Sequence, residues 1–413
     1  MTAKRLLDAG LRPIVLERGD RIGGVWNYDD EARPGSLAYR SLRTNTSRQT
    51  MPFTELAFDA SEDFPARGDA LAYLHRFTDV AGVRRHIRFG ADVRSIEPVA
   101  GGWRLRLDRG AEAVDAVVVA TGIQSEPSIP AFPGVDRYRG TQLHSSAYRS
   151  PEPFSGRRVV VVGLGSSGVD IAAEIGGVAR KVVVSAPSGA WLLPRHVADR
   201  PWDHHLTRAA ELLPRRLRLR AFEGLVRAEY RRRGLAPGSR GLRLPLLEPL
   251  VARVTPGSDL LDPASPVEFR PGIAAVDESS VTFADRTVTD ADAIVWCTGY
   301  TTRFPSLPAG TIGPQLDLVD HVFSAQVPGI AFVGMTVVGG PIWPVMDLQA
   351  SWIARVFAGD APPRPLGLRR PAGADPLRVE YVPYLRALAT AAGRRDRQRR
   401  RGMLAPVRAA DFR

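Results

Sequence analysis

At 413 residues, the chain is long enough for two domains or for one large domain with an insertion. Hydrophobic residues make up 44% of the sequence, as in globular proteins, and no apolar run reaches the length of a membrane-spanning helix. Since the N-terminus also lacks the apolar core of a signal peptide, we expect a cytoplasmic protein. The net charge of +12 comes almost entirely from arginine, because Lys4 and Lys181 are the only lysines. Such a bias is typical of a GC-rich coding sequence, so we expect no nucleic-acid partner.

The single cysteine, Cys297, excludes an internal disulfide and a CxxC redox pair within one chain. It follows an apolar run typical of a strand, and we interpret it as a buried structural thiol. No cluster of metal ligands is apparent in the sequence. His204 and His205 are adjacent and would point apart on any regular element, so we expect both at the surface and predict no metal site.

The chain opens with a predicted helix over residues 1–11 and a predicted strand over residues 13–16, and Glu17 stands at the carboxyl end of that strand. Helix, strand and terminal acid are the second and third parts of a dinucleotide-binding unit, in which the acid holds a ribose. The strand and the glycine turn that should precede them are not in the sequence. We therefore expect a chain truncated at its N-terminus, through a misassigned start or through degeneration of the site.

The next segments are rich in loop residues. Gly23 and Gly24 beside Trp26 would allow a close approach of the backbone to a flat ring system. Residues 39–47 are polar, and from the residues alone Asn45 is most simply a turn residue.

Further predicted elements follow, with one repeated ending. We predict a helix over residues 70–82 and strands over residues 87–98, 103–108 and 114–120. The last strand ends in Thr121–Gly122, and the apolar run at residues 292–297 ends in Thr298–Gly299. We interpret this repeat as two nucleotide-binding units between which the chain crosses twice.

The strongest signal lies in residues 156–187. An apolar strand at 159–162 leads into a turn and helix, and a second strand follows at 181–185. The turn and the start of the helix comprise Gly163, Leu164, Gly165, Ser166, Ser167, Gly168, Val169 and Asp170. This pattern brings backbone amides against a pyrophosphate at a helix N-terminus.

The end of the second strand indicates which nicotinamide cofactor binds. An NAD site usually places an acid there, whereas this chain has Ser185 followed by no acid. Arg195 lies a few residues further on and could pair with a 2′-phosphate. The sequence therefore favours NADPH.

Residues 192–261 have a different texture, because a basic stretch at 212–233 carries interleaved leucines and aromatic residues. We interpret it as a helical insertion with a solvated basic face, and a helix lying on a membrane surface is the alternative. A strand at 327–332 and a helix at 344–357 follow. Residues 361–376 are a proline-rich linker, and we expect the arginine run at 394–401 to be a solvated tail.

Together these blocks resemble the flavin-containing monooxygenases, which use FAD and NADPH. The most specific block is YRGTQLHSSAY at residues 138–148, similar to the family signature FxGxxxHxxx(Y/F) with tyrosine in the leading position. The segments GGVW, LRTNTS, GLGSSGVD, VPGIAFVGM and LQASWIARVF also match in order, so that the resemblance runs from residue 2 to about residue 359.

The resemblance implies an α/β fold with two Rossmann-like dinucleotide-binding domains. Residues 1–150 and 296–360 would form the FAD-binding domain, and residues 151–295 would form an inserted NADP-binding domain with the helical insertion near 192–261. Residues 361–413 would be a C-terminal extension.

The implied site follows residue by residue. Glu17, Val25 and Trp26 fall where the family contacts FAD, and Thr44 and Asn45 fall where it meets NADP beside the flavin. Asn45 is the predicted catalytic residue, since this asparagine is linked to protecting the oxygenated flavin. The family commonly has arginine where this chain has Pro187, which leaves the 2′-phosphate to other groups. The further predicted cofactor-binding residues are Gly24, Thr121, Gly122, Gly163, Gly165, Ser166, Ser167, Gly168, Val169, Asp170, Ser185, Arg195 and Gln349.

The implied activity is an NADPH- and O₂-dependent oxygenation of a soft nitrogen or sulfur nucleophile through a C4a-hydroperoxyflavin. The expected partners are a small-molecule substrate and O₂, with a homodimer as the candidate assembly. A Baeyer–Villiger oxidation of ketones is the first alternative, but that group has tryptophan after the signature histidine where this chain has Tyr148–Arg149. A quinone reductase and an NADP-binding protein that has lost FAD are the others.

Overall fold

Helices and strands alternate through the computed structural model, which describes residues 1–31, 36–236, 238, 241–244, 254–262, 264–312, 318–368, 375–394 and 404–412. The α-helices of these residues are α1 (Thr2–Asp8), α2 (Arg67–Val80), α3 (Ser166–Gly176), α4 (Arg208–Glu211), α5 (Arg215–Arg232), α6 (Ile342–Phe357) and α7 (Tyr381–Ala391). The strands of the first half are β1 (Val15–Glu17), β2 (Ile87–Phe89), β3 (Val93–Val99), β4 (Gly102–Leu107), β5 (Ala111–Val114), β6 (Val117–Val119), β7 (Glu126–Pro127), β8 (Thr141–His144), β9 (Arg158–Val162), β10 (Lys181–Ser185), β11 (Trp191–Leu193), β12 (His196–Val197) and β13 (Arg200–Pro201). Those of the second half are β14 (Val254–Pro256), β15 (Val267–Arg270), β16 (Ile273–Val276), β17 (Ser280–Phe283), β18 (Val288–Asp290), β19 (Ala293–Trp296), β20 (Tyr300–Thr301), β21 (Leu318–Val319), β22 (Phe323–Ser324), β23 (Ile330–Phe332), β24 (Val337–Val338) and β25 (Arg378–Val379).

A five-stranded parallel sheet forms the centre of the second nucleotide-binding unit, with strand order β15-β10-β9-β19-β8. Its central strands β9 and β19 are mostly apolar because both faces are covered, and residues 159–162 of β9 are all buried. α3 packs on one face through side chains that include Ile171 and Ile175. The strands and helix predicted for residues 159–185 are confirmed. The sheet begins at β8, however, ahead of the predicted boundary at residue 150.

The first unit is built from smaller sheets. β1 pairs with β2 in parallel, and β6 pairs in parallel with β23 in a separate four-stranded sheet, β21-β22-β23-β6. No strand of the described residues pairs with both β1 and β6. The strand predicted over residues 87–98 is wrong as one element: Gly90 adopts φ +64, and the chain leaves β2 there to begin β3 in another sheet.

The two crossings between the units run side by side. Gly122 and Gly299 follow the repeated endings of β6 and β19 and have nearly the same φ, +80° and +83°. The segments after them pair as β7 and β20, and Ser128 donates its amide to the Gly299 carbonyl at 3.0 Å. The repeated Thr-Gly therefore marks two equivalent turns at the domain junction, as the sequence predicts.

The insertion after β10 is helical only in part. The predicted basic helix is α5, which begins after Pro214, but β11 and β14 also pair in parallel within the insertion. α5 is fixed by Tyr230, whose ring stacks on Trp191 at 6.2 Å and whose hydroxyl donates to the Leu192 carbonyl at 2.7 Å. None of the described helices is both long enough and apolar enough to cross a bilayer.

The C-terminal residues add to the core instead of trailing away from it. α7 packs against α6, and Trp352, Tyr384 and Phe412 are fully buried in one cluster. Arg394, predicted to begin a solvated tail, is half-buried and donates to the Ser351 hydroxyl at 3.2 Å. The rest of that predicted tail, residues 395–401, lies outside the described residues.

A buried ion pair joins the first helix to α6. Arg5 donates from Nε to Asp347 Oδ1 at 2.7 Å, and both side chains are nearly unexposed. Thr54 donates its amide at 3.0 Å and its hydroxyl at 2.6 Å to the other carboxylate oxygen. Burial alone would raise the pKa of Asp347, but these donors and the Arg5 charge hold it below its usual value.

We expect Asp347→Asn to lower the free energy of unfolding by about 1.5–3 kcal/mol, because it removes the buried carboxylate that bonds Arg5 and leaves only the more exposed Asp8 and Glu55 as its anionic partners. Denaturation in urea, followed by tryptophan fluorescence, measures the change. Asp108→Asn is the control: Asp108 pairs with Arg94 on the exposed surface, and the variant should unfold at the same urea concentration as the unchanged protein. An equal loss in the two variants would contradict the prediction.

The contribution of the Arg5–Asp347 pair to the free energy of unfolding depends on pH. Since the pKa of Asp347 in the folded protein lies below the value of 3.8 expected for the unfolded chain, its contribution is complete above that pH. It is lost as the pH falls through the lower, folded pKa.

Candidate functional site

The turn at the end of β9 is closed by backbone contacts that exclude side chains. A Cβ on Gly163, which has φ +103, would lie 2.5 Å from the Cys297 carbonyl oxygen. A Cβ on Gly168 would lie 2.2 Å from the Gly163 carbonyl oxygen. Gly165 differs, because a Cβ there would meet no atom within 4 Å. Two glycines therefore hold the turn together, and the third leaves open space above it.

The start of α3 leaves its backbone amides available. Gly165 is the N-cap residue and supplies no side-chain cap, and the first turn contains no acidic residue. Ser166 and Ser167 lie there with exposed or half-exposed side chains. Unpaired amides at a positive helix end bind anions, and the open space at Gly165 gives a pyrophosphate room to approach them. The residues present fit a dinucleotide.

Two predicted cofactor-binding residues of this turn, Val169 and Asp170, have side chains that contact other parts of the protein. Val169 is buried and its Cγ1 would lie 2.0 Å from a Cβ on Gly257. Asp170 accepts a hydrogen bond from the Tyr39 hydroxyl at 2.5 Å and lies 3.8 Å from Arg195. Burial raises the pKa of Asp170 above its usual value. The Asp170 carboxylate thus joins α3 to residue 39 of the first unit.

The groups predicted at the 2′-phosphate are also engaged. Ser185 is buried, and its hydroxyl donates to the Pro271 carbonyl at 3.0 Å. The Arg195 guanidinium lies between Asp170 and the ring of Phe64, 5.7 Å from the ring centroid. Arg195 therefore contributes to the contact between the two units, while its buried Nη1 has no hydrogen-bond partner among the described residues, and its phosphate role stays a prediction.

Asn45 combines a fixed backbone with a free side chain. Its carbonyl accepts a hydrogen bond from Trp202 Nε1 at 2.8 Å, and the neighbouring Thr44 donates its amide to the Pro65 carbonyl at 2.9 Å. The Asn45 side-chain amide makes no hydrogen bond within the described residues and is partly exposed. The Thr44 hydroxyl donates to the Thr46 carbonyl at 2.9 Å, so it supports the loop. Asn45 is thus a hydrogen-bonding group on a fixed backbone, with no side-chain partner among the residues that the structure describes.

The predicted FAD-contacting residues Glu17, Gly24 and Val25 are at least partly accessible. Glu17 stands at the end of β1 and accepts the Gly19 amide at 2.6 Å. Gly24 begins a single 3₁₀ turn, Gly24–Trp26, and a Cβ there would meet no atom within 4 Å. Val25 is 43% exposed although it is apolar. An exposed apolar side chain beside an open glycine is a surface that a flat ring can cover, so these residues fit a flavin.

The other predicted residues of this unit divide into two kinds. Thr121 is exposed and Gly122 turns with positive φ at the end of β6, where both are accessible. Gln349 has no exposed surface, because its Oε1 accepts the Gly334 amide at 2.9 Å and its Nε2 donates to the Tyr384 hydroxyl at 3.0 Å. The prediction that Gln349 contacts a cofactor is therefore corrected: its side chain orders the loop at Gly334.

The signature histidine lies at the domain junction. His144 ends β8, accepts the Ser146 amide on Nδ1 at 3.1 Å and lies 3.0 Å from the Gly299 carbonyl through Nε2. This pattern assigns the proton to Nε2, and burial lowers the pKa of His144.

Cys297 is buried as predicted, and burial raises the pKa of its thiol. Across the described ranges, no group of three or more His, Cys, Asp and Glu side chains could hold a metal ion.

The residues that sequence reasoning missed lie in the insertion. Trp202 and Asp203 contact the Asn45 loop, and Asp203 is completely buried. His205, predicted at the surface, has its Nε2 2.9 Å from the Val197 carbonyl, and His204 is half-buried. The sequence signal available was an acid between a tryptophan and two histidines, which does not reveal partners more than 150 residues away.

Comparison with known proteins gives consistent results. Residues 1–364 match a family described as flavin-binding monooxygenase-like. The chain is 32% identical over 388 residues to dimethylaniline monooxygenase (N-oxide-forming) 2 of Mus musculus, an alignment that covers 87% of this chain and 71% of the relative.

Two solved structures show the same architecture. The S-allyl-L-cysteine S-oxygenase of Allium sativum is similar with a TM-score of 0.70 and 25% identity, covering 95% of this chain and 85% of that one. A cyclohexanone monooxygenase of Rhodococcus sp. Phi1 bound to NADP⁺ has a TM-score of 0.67 over 95% of this chain and 94% of that one, and at 18% identity this likeness shows the fold alone. The predicted architecture of two dinucleotide-binding domains is confirmed. The chain belongs to the flavin-binding monooxygenase-like family, whose enzymes depend on FAD and NADPH.

Proposed function

We propose that the protein is an FAD- and NADPH-dependent monooxygenase that transfers one oxygen atom of O₂ to a soft nitrogen or sulfur atom of a small molecule. Membership of the family supports the cofactor pair. The relatives are named for N-oxide formation and for S-oxygenation of a cysteine derivative, which supports the substrate class. The observation that carries the proposal is the free amide of Asn45 on a fixed backbone beside the unit that holds the glycine turn.

The turn after β9 would hold NADPH. The amides at the start of α3 would bind the pyrophosphate, with Gly165 leaving room for it and with Ser166 and Ser167 at its edge. Glu17 would bind the ribose of FAD, and the exposed surface at Gly24 and Val25 would lie against the flavin. When bound, the two cofactors supply the electrons and activate O₂, so that one oxygen atom reaches the substrate and the other leaves as water.

The protein itself would position the reacting groups and exclude water from them. Asn45 would donate a hydrogen bond from its side-chain amide to the reacting centre, and its fixed backbone keeps that donor in one place. His144 has both ring nitrogens engaged by the backbone at Ser146 and Gly299, so we assign it to the domain junction and not to proton transfer.

A Baeyer–Villiger oxidation of ketones is the second candidate. The fold is compatible with it, since the cyclohexanone monooxygenase has the same architecture. The signature with Tyr148 in place of the ketone-oxidising pattern supports nitrogen or sulfur oxygenation instead. Ester formation from cyclic ketones at rates above those with tertiary amines and thioethers would reverse this ranking.

We also propose a cytoplasmic location and a homodimer, to be tested by cell fractionation and by sedimentation.

We expect the purified chain, incubated with FAD and desalted, to retain the visible flavin absorption band and to lose it on addition of NADPH without O₂. A colourless protein would contradict FAD binding by the chain as given. Calorimetric binding of NADP⁺ to such a colourless protein would then favour the alternative of a protein that keeps only the second nucleotide.

We expect Asn45→Ala to divert NADPH oxidation into H₂O₂ release, because the donor that supports productive oxygen transfer is removed. The ratio of H₂O₂ formed to NADPH consumed should rise several-fold, as measured by a peroxidase-coupled assay. Gln49→Ala is the matched control, since the Gln49 amide donates to Asp63 at 2.7 Å and is not free. An unchanged ratio in Asn45→Ala would remove the role assigned to Asn45.

We expect two alanine substitutions in the glycine turn to separate binding from folding. In Gly165→Ala the new methyl group meets open space, so the free energy of unfolding should stay within about 1 kcal/mol while NADP⁺ binds at least about tenfold more weakly. In Gly168→Ala the methyl group meets a backbone oxygen at 2.2 Å, which should destabilise the fold by about 1–3 kcal/mol or more. Titration calorimetry and thermal unfolding measure the two effects. Equal behaviour of both variants in both assays would contradict the assignment.

A further inference from the structure

We propose that Trp202 and Asp203 are positioning residues that fix the backbone around Asn45, so that the insertion after β10 determines how productively NADPH is used. This inference rests on the role proposed for Asn45 and extends it to two residues outside the glycine turn and the first unit. Neither is itself a predicted cofactor contact, so both would act through Asn45.

Two consecutive residues of the insertion, Trp202 and Asp203, form hydrogen bonds with the backbone at Asn45 and Ser47. Trp202 donates from its indole Nε1 to the Asn45 carbonyl at 2.8 Å. Asp203 Oδ2 accepts the Ser47 amide at 2.8 Å and the Ser47 hydroxyl at 3.0 Å, and it also accepts the Thr50 hydroxyl. The backbone on the carboxyl side of Asn45 is therefore held at the Asn45 carbonyl and, two residues on, at the Ser47 amide.

Among the described residues, the Asp203 carboxylate accepts hydrogen bonds only from the loop after Asn45, at Ser47 and Thr50. The side chain has no exposed surface, and within the described part of the chain no lysine or arginine forms an ion pair with it. Its Oδ1 has no hydrogen-bond partner, whereas its Oδ2 accepts from three donors. A buried carboxylate without a cation is costly, and a stability role alone would be served equally well by an apolar residue. Three bonds directed at one loop indicate a requirement for the position of that loop.

The two positioning residues stand on a stiff hairpin. β12 and β13 pair across Ala198 and Asp199, which adopt φ +48 and +56 although neither is glycine. Non-glycine residues in this region are strained and persist only where the surroundings hold them. Trp202 follows directly after β13 and donates its own amide to the Arg195 carbonyl at 3.0 Å. The hairpin thus carries a fixed donor and a fixed acceptor to the loop.

The functional consequence follows from the free side chain of Asn45. Within the described ranges no side chain or backbone group bonds that amide, so its direction depends on the backbone that Trp202 and Asp203 hold. Small displacements of a positioned donor reduce catalysis strongly. Loosening the loop should therefore mimic removal of Asn45 while leaving the cofactor-contacting surfaces unchanged.

The first test is hydrogen–deuterium exchange of the purified protein, read by mass spectrometry over residues 44–51, which requires no catalytic turnover. We compare Asp203→Asn with Asp63→Asn, a matched control in the same interface. Asp63 bonds Gln49 and His196 at 2.7 and 3.0 Å but contacts nothing next to Asn45. Loss of the charged acceptor should speed exchange of the Ser47 amide about tenfold in Asp203→Asn and not in Asp63→Asn.

The second test measures the ratio of H₂O₂ formed to NADPH consumed, well below the unfolding temperature of each variant. We expect a several-fold rise in Asp203→Asn, a smaller rise in the volume-conserving Thr50→Val, and none in Asp63→Asn. The rate of NADPH oxidation and its KM should be retained, which a general loss of folding would not allow. Should Asp203→Asn fail to fold, Thr50→Val and Ser47→Ala carry the same test.

The outcomes separate this inference from the proposed function. If Asn45→Ala raises the H₂O₂ ratio while Asp203→Asn and Thr50→Val leave it unchanged, the positioning role is overturned and the monooxygenase stands. If Asn45→Ala itself leaves the ratio unchanged, the role of Asn45 fails and this inference fails with it. A rise in Asp63→Asn equal to that in Asp203→Asn would show a general effect of the interface and would also overturn the proposal.

Discussion

The contact of three backbone segments at the end of β9 is the constraint on which the rest of the site depends. Gly163 touches the Cys297 carbonyl and Gly168 touches the Gly163 carbonyl, at distances that no side chain could fit between. This contact fixes the direction in which α3 leaves the sheet and, at the same time, the point at which β19 ends. Thr298–Gly299 follows immediately, and there the chain crosses to the other unit. One close approach therefore sets both the anion-binding end of the helix and the position of the domain junction.

Directional polar contacts, more than apolar packing, register the segment at residues 39–50 against the second unit. Tyr39 donates to Asp170 on α3. Trp202 and Asp203 complete the arrangement at Asn45. Hydrogen bonds have narrow distance and angle limits, so a set of them fixes a loop more sharply than contact area does. The loop that carries the free amide belongs to the first unit, yet its placement is set by the second.

The parts of the fold that were predictable are those whose signals are local. The run at residues 159–162, the glycine turn and α3 each follow from periodicity and backbone freedom within a few residues. The strand predicted over residues 87–98 failed because Gly90 ends one strand and lets the next join a different sheet, which periodicity cannot distinguish. α7 lacked a local signal, since its burial depends on α6 and on Phe412. Asp203 could not be recognised because its three donors lie more than 150 residues away in sequence. Most predicted cofactor contacts stay predictions, because the sequence and the fold show room for a cofactor and not the contacts that it makes.

Several ionisable groups where the two units meet are held in their neutral forms by burial. Burial lowers the pKa of His144 and raises those of Cys297, Tyr39 and Tyr300, so each of these groups is held in its neutral form. His144 also packs edge-on against Tyr300 at 5.1 Å, with its nitrogens engaged by the backbone. These neutral groups lie beside charged ones, since Arg195 pairs with Asp170 at 3.8 Å and Arg149 donates to the Ser146 carbonyl at 2.9 Å. The proposed donor is likewise neutral: a side-chain amide on a fixed backbone, as at Asn45, would stabilise developing charge without itself exchanging a proton.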